Sequence, residues 1–149
     1  MNQELRNTPQ DMGQGYLIVR VSTAKGAIPI VGAKVIIREE NASDPIDDRS
    51  PVTHVLISDR DGNTPRLALE APPKGDSFDP YGNIPYKNYS ITVEAPGYYR
   101  QQYLHVPIFD TITSIQPAVL IPIADNGQAD SVTPDEYIVD ESETSDLNN

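Results

Sequence analysis

The chain has no cysteine. That single absence removes disulfides, thiolate metal ligands and a cysteine nucleophile together, and with them a disulfide-stapled secreted scaffold. Long apolar runs are also missing. No stretch approaches the roughly 20 residues that cross a bilayer, so membrane insertion is not expected. Residues 1–15 hold no apolar core of an export signal, which predicts synthesis in the cytoplasm without a signal peptide. Basic residues are scarce, with 11 Lys and Arg against 22 Asp and Glu and a formal net charge of -11. Phosphate binding needs clustered Lys and Arg, so neither nucleic acid nor an anionic membrane is an expected partner. There is no G-x-S-x-G elbow, and the two histidines, His54 and His105, carry no metal-ligand spacing.

Proline, by contrast, is abundant: 14 residues, roughly twice the usual share of about 5%. Proline is expelled from helix interiors and central strands, which favours short strands joined by stiff turns. Period-2 alternation bears this out in seven segments: 15–22, 33–39, 52–58, 65–70, 89–95, 98–106 and 115–122. In the first, Leu17, Val19 and Val21 share a face; in the fifth, Tyr89, Ile91 and Val93 do. No segment sustains a 3.6-residue period, and only 109–113 leaves room for a short helix. Seven short alternating strands predict an all-β, seven-stranded Greek-key sandwich of prealbumin-like form.

The charge divides unevenly along the chain. Residues 1–124 hold fourteen acidic and eleven basic side chains, whereas residues 125–149 hold eight acidic and no basic ones. The domain expectation is a flexible lead over 1–14, one sandwich over 15–123 and a disordered acidic tail over 124–149, too polar to offset its ordering entropy. One apolar island, Tyr137-Ile138-Val139, has the character to dock on a sheet edge. Residues 71–88 form a long loop stiffened by Pro72, Pro73, Pro80 and Pro85.

Six of eight tyrosines fall between Tyr81 and Tyr103. Tyrosine offers flat apolar area with a polar tip, suited to sugar or peptide contact. Tyr81 and Tyr86 in the proline-rich loop, with Tyr99 and Arg100 nearby, are the expected binding residues. Asp59 and Asp61, alternating with Asn63 around Gly62, are the cation candidates. The spacing lacks the sixth-position glycine and distal glutamate of a calcium loop, and Asp and Asn also favour turns by bonding their own backbone. No catalytic residue, cofactor or metal is expected. A Lys–carboxylate isopeptide has only Lys34 and Asp110 to draw on.

Several stretches resemble a known family. The run Pro29-Ile30-Val31-Gly32-Ala33-Lys34-Val35, the turn Ser58-Asp59-Arg60-Asp61-Gly62 and the strand end Ala95-Pro96-Gly97-Tyr98 resemble carboxypeptidase regulatory-like and transthyretin-like modules. The run Ile108-Phe109-Asp110-Thr111-Ile112-Thr113-Ser114-Ile115-Gln116-Pro117 resembles the modules found in clostridial-type spore cortex-lytic and peptidoglycan-binding proteins. The resemblance implies a non-enzymatic binding or structural module at the spore or cell envelope, with cell-wall glycan or an envelope protein as partner. The alternative reading is a protein–protein assembly module of a larger particle. A third is a small hydrolase, since the transthyretin-like fold includes a urate-pathway hydrolase, but the Tyr-Arg-Gly-Ser-like tail of that enzyme has no counterpart here.

Overall fold

The computed structural model describes residues 12–40, 51–74, 85–124 and 136–141. Nine strands are found among them: β1 (Gly13–Thr23), β2 (Ile28–Pro29), β3 (Lys34–Glu39), β4 (Val52–Ile57), β5 (Leu67–Ala71), β6 (Tyr86–Glu94), β7 (Arg100–Phe109), β8 (Thr113–Val119) and β9 (Glu136–Asp140). They form two stacked sheets. In one, β1 is central, with β5 and β2 along one side and β8 on the other; the second runs β4-β3-β6-β7-β9. The β1–β8 and β7–β9 pairs are parallel and the others antiparallel.

The alternation explains the stacking. Leu17, Val19 and Val21 of β1 face Val35 and Ile37 of β3, and Ile91 and Val93 of β6, in one buried cluster completed by Leu69, Ile108 and Leu120. Each such aliphatic side chain contributes about 1.5–3 kcal/mol when fully removed from water. Gly15 lies on the same face of β1, where a Cβ would run into the Phe109 carbonyl oxygen and the Ile108 side chain. The backbone of the β7–β8 turn thus packs directly on β1, which only glycine permits.

Between its contacts with β5 and β2, β1 has a stretch with no strand beside it. The 59–64 turn fills this gap. Thr64 N donates to Val19 O at 2.9 Å, Val21 N donates to Gly62 O at 2.7 Å, and Val19 N donates to Thr64 Oγ1 at 2.9 Å. This turn is built by Asp59, whose Oδ1 accepts from Asp61 N at 2.9 Å and Asn63 N at 3.0 Å. Asp59 Oδ1 thus forms an Asx turn, and that turn repairs a sheet.

The all-β sandwich expected from the sequence is present, but three details need correction. There are nine strands, not seven; β2 is only two residues long and carries no period to read. The segment with room for a helix is a tight turn at Asp110-Thr111, with Thr111 at φ 66. The acidic tail is not wholly unstructured: Glu136–Asp140 pairs in parallel with Arg100–Leu104. The hydrophobic island supplies the reason, because Val139 packs against the core cluster. Lys34 and Asp110 lie at opposite ends of the larger sheet, roughly 26 Å apart along eight residues of strand, so no isopeptide joins them.

Candidate functional site

At one end of the sandwich the core alternation runs into charge. Val35 and Ile37 on the inner face of β3 are followed, two residues on, by Glu39. On the neighbouring β6, the inner face reads Ile91, Tyr89 and then Lys87. Two opposite charges therefore sit where the pattern calls for apolar side chains, and charge at such a position must be paired. Lys87 Nζ lies 2.8 Å from Glu39 Oε1 and 3.6 Å from Glu70 Oε2 on β5. The ammonium also stands 5.7 Å from the Tyr89 ring centroid.

Tyr89 is buried, and its hydroxyl donates to the Glu70 carbonyl at 2.7 Å. Burial, then the nearby Glu39 and Glu70 charges, push its phenol well above the usual tyrosine value. The group stays protonated at neutral pH and acts as a hydrogen-bond donor. β4 and β5, the edge strands of the two sheets, border a cleft of about 200 Å³ beside this cluster, lined by Glu39, Thr53, His54, Leu69, Glu70 and Tyr89. Thr53 holds the β4 side in place by donating to Ile37 O at 2.9 Å.

The cleft combines two carboxylates and an imidazole over an apolar wall, and Lys87, ion-paired to Glu39, lies outside its lining. Such a lining accepts and returns hydroxyl protons and hydrogen-bonds a polar ring. Among the described residues no three His, Asp or Glu converge. His54 and His105 sit on β4 and β7 with β3 and β6 between them, a separation of about 14 Å at three strand spacings.

The residues expected to bind are dispersed. Tyr81 lies outside the described residues. Tyr86 is 52% exposed at the start of β6, its ring 5.6 Å from that of Phe109. Tyr99 and Arg100 sit at the other end of the β6–β7 pair, roughly 30 Å away along the strands. Glu39, Glu70 and Lys87 were not singled out by sequence reasoning, and His54 was weighed only as a metal ligand, although a charged residue closing each of two inward apolar series was a visible signal.

No family model matches the sequence, and no curated protein matches it. Solved structures do share the fold. The catechol 1,2-dioxygenase of Acinetobacter radioresistens matches with a TM-score of 0.51 and 14% identity, covering 89% of this chain and 59% of that one. The chlorocatechol 1,2-dioxygenase of Pseudomonas putida matches with a TM-score of 0.40 and 13% identity, covering 88% of this chain and 60% of that one. This chain thus spans about 60% of the length of the solved structures it resembles.

These findings correct the family expectation. The Acinetobacter radioresistens structure that shares the fold is a dioxygenase and not a transthyretin-like, spore or peptidoglycan-binding module. The motifs behind that resemblance are turn chemistry: Gly32, Gly62 and Gly97 take φ of 80°, 82° and 86°. A sandwich with such turns needs glycine there whatever its ancestry. The expectation of a non-enzymatic module falls with it, since the structural neighbours are enzymes and a cleft with ionisable groups opens between the sheets. Identity of 14% establishes the shared fold alone.

Proposed function

We propose that this chain is a small-molecule protein whose site is the cleft between the β4 and β5 edges, and that its ligand is a single six-membered ring bearing hydroxyl groups. The Glu39–Lys87 pair at 2.8 Å carries the reading: it stands partly exposed at the rim, where the inward apolar series of β3 and β6 end, and its carboxylate lines the cleft. Size supports it: an apolar cavity of about 150 Å³ accepts a benzene ring, and the cleft is about 200 Å³. Leu69 and Tyr89 offer the ring an apolar wall, while Glu39 and Glu70 accept from its hydroxyls. The structural neighbours named for catechol are consistent with this ligand class.

The chemistry this lining supports is proton transfer. Glu39, oriented by its ion pair with Lys87, takes a hydroxyl proton, and Tyr89 stays neutral to hold the Glu70 backbone in place. Oxygen insertion into a ring needs a centre that passes electrons to dioxygen. The described donors do not form one, so no oxidative step is assigned.

Titration of the ¹⁵N-labelled chain with catechol tests the reading. Amide shifts at Glu39, Thr53, His54, Glu70 and Tyr89 are expected to saturate in the millimolar range, about 4 kcal/mol of binding. Glu39→Gln is expected to weaken the response about five-fold or more, as for loss of a charged hydrogen-bond partner. Shifts scattered over the surface, or equal in parent and variant, refute it.

A further inference from the structure

The outer face of the smaller sheet departs from the usual alternation. A strand with one solvated face reads apolar-in and polar-out, whereas a strand covered on both faces reads as a continuous apolar run. The run from Ile115 to Ile123 holds a single polar side chain, Gln116, in nine residues. Gln116, Ala118 and Leu120 are buried, so Ile115, Pro117 and Val119 of β8 stand on the outside. Ile115 and Val119 are 51% and 38% exposed, and in the parallel register Ile115 lies beside Ile18 of β1. Ile112 before this series and Ile121 and Ile123 after it are exposed as well. The sequence of β8 is that of a strand covered on both faces, and the chain covers only one. We infer that the outer face of β1 and β8 is the contact surface of a symmetric dimer, occupied by the same face of a second copy.

Charge is the first argument for a second copy. A two-fold contact sets a patch against itself, so a charge at its centre meets its own sign. Residues 112–123 carry no charge. The charged side chains of this face stand on its β5 side. The Arg66 guanidinium lies over the Tyr16 ring at 4.3 Å, Arg20 Nε donates to Asn63 Oδ1 at 3.2 Å, and Glu70 is on β5 itself. An apolar centre with a polar rim is the anatomy of a protein interface. Because apolar contact has no direction, such a centre is complementary to itself.

Area is the second. Tyr16–Ser22 pairs with Thr113–Val119, about 23 Å of strand, and with β5 beside them the face is about 14 Å wide at three strand spacings. Two such faces in contact, with their side-chain relief, hide on the order of 1,000 Å², the lower end for a specific interface. The dimer is therefore weak and reversible. Its contact runs through side chains and not through strand addition, because the free edge of β8 is blunted. Pro117 has no N–H, its carbonyl accepts from Gln116 Nε2 at 2.9 Å, and Val119 O accepts from Gln101 Nε2 at 2.7 Å.

Sedimentation of the full chain, from micromolar to millimolar concentration, tests the inference. Monomer is expected to give way to dimer with a dissociation constant of roughly tens to hundreds of micromolar. The amide signals of Ile18, Ile115 and Val119 are expected to shift over the same range. Ile115→Lys and, separately, Val119→Lys put a charge on the contact at exposed positions, where each meets its own copy. Each is expected to weaken the dimer about ten-fold or more while melting as the parent does. Val55→Lys, at a 51% exposed position on β4, is expected to leave the dimer unchanged. A chain that stays monomeric throughout overturns the inference. So does a dimer that either β8 variant forms as readily as the parent, or one that Val55→Lys weakens equally.

Discussion

Asp110 shows how one side chain fastens three parts of the chain. Its Oδ1 accepts from Gln14 N at 3.0 Å and its Oδ2 from Lys74 N at 2.8 Å, joining β1, the loop after β5 and the β7–β8 turn. These backbone donors, Lys74 first and then Gln14, hold its carboxyl below the usual carboxylate value of 3.8. A depressed folded value means the carboxylate contributes stability that is present above the unfolded value and lost as pH falls through the folded one. Asp110→Asn is therefore expected to lower the urea midpoint at about pH 6, with the gap to the parent closing as pH falls through the folded value, which lies below 3.8. A gap independent of pH would show that the bonds matter only for their geometry.

His105 is another residue whose conformation matters. It takes φ 57 at a bulge in β7, where the register against β6 shifts. The backbone is held there by His105 N donating to Glu40 Oε2 at 2.6 Å. A bulge at this place turns the strand and re-aims the side chains beyond it.

Among the elements, β9 is the one that changes the edge of a sheet. Without it the first half of β7 would present open backbone groups to any passing strand. β9 pairs Glu136 to Asp140 with Arg100 to Leu104, and just beyond it Glu141 Oε1 accepts from Gln116 Nε2 of β8 at 3.1 Å, bridging the two sheets. The Tyr103 phenol, buried beneath, is pushed well above its usual value by burial and then by Glu141. Val139→Asp places a charge where β9 meets the core. It is expected to cost about 1–2 kcal/mol and to speed amide hydrogen exchange at residues 100–104 relative to 89–93. Unchanged exchange at 100–104 would mean β9 gives the edge no protection.

On the scale of the molecule, the tail combines two properties that are separable. It supplies eight of the eleven units of net negative charge, and it supplies an edge strand. Truncation after Ala124 removes both, while all but one of the residues packed in or against the core remain. The shortened chain is expected to fold, and its sedimentation coefficient is expected to rise with concentration more steeply than that of the full chain. A variant with the tail acids outside 136–141 changed to amides loses charge and keeps the strand; it is expected to behave as the parent. If both variants associate alike, repulsion and not edge covering is the tail's contribution.

The alternating positions determined the sandwich without help. Each of the seven segments read from period 2 corresponds to a strand, because burial of one face repeats every second residue and leaves its mark locally. Glycines at positive φ marked the turns for the same reason: the requirement is met within a few residues. What the tertiary structure alone decided concerns pairs distant in sequence. Glu39 and Lys87 are 48 positions apart, and nothing near either residue announces the other. The docking of β9, the gap on β1 filled by the 59–64 turn, and the separation of Tyr86 from Arg100 are likewise matters of register between strands. Register is set by the sum of many side-chain contacts across the core, and so it emerges only when the sheets are assembled.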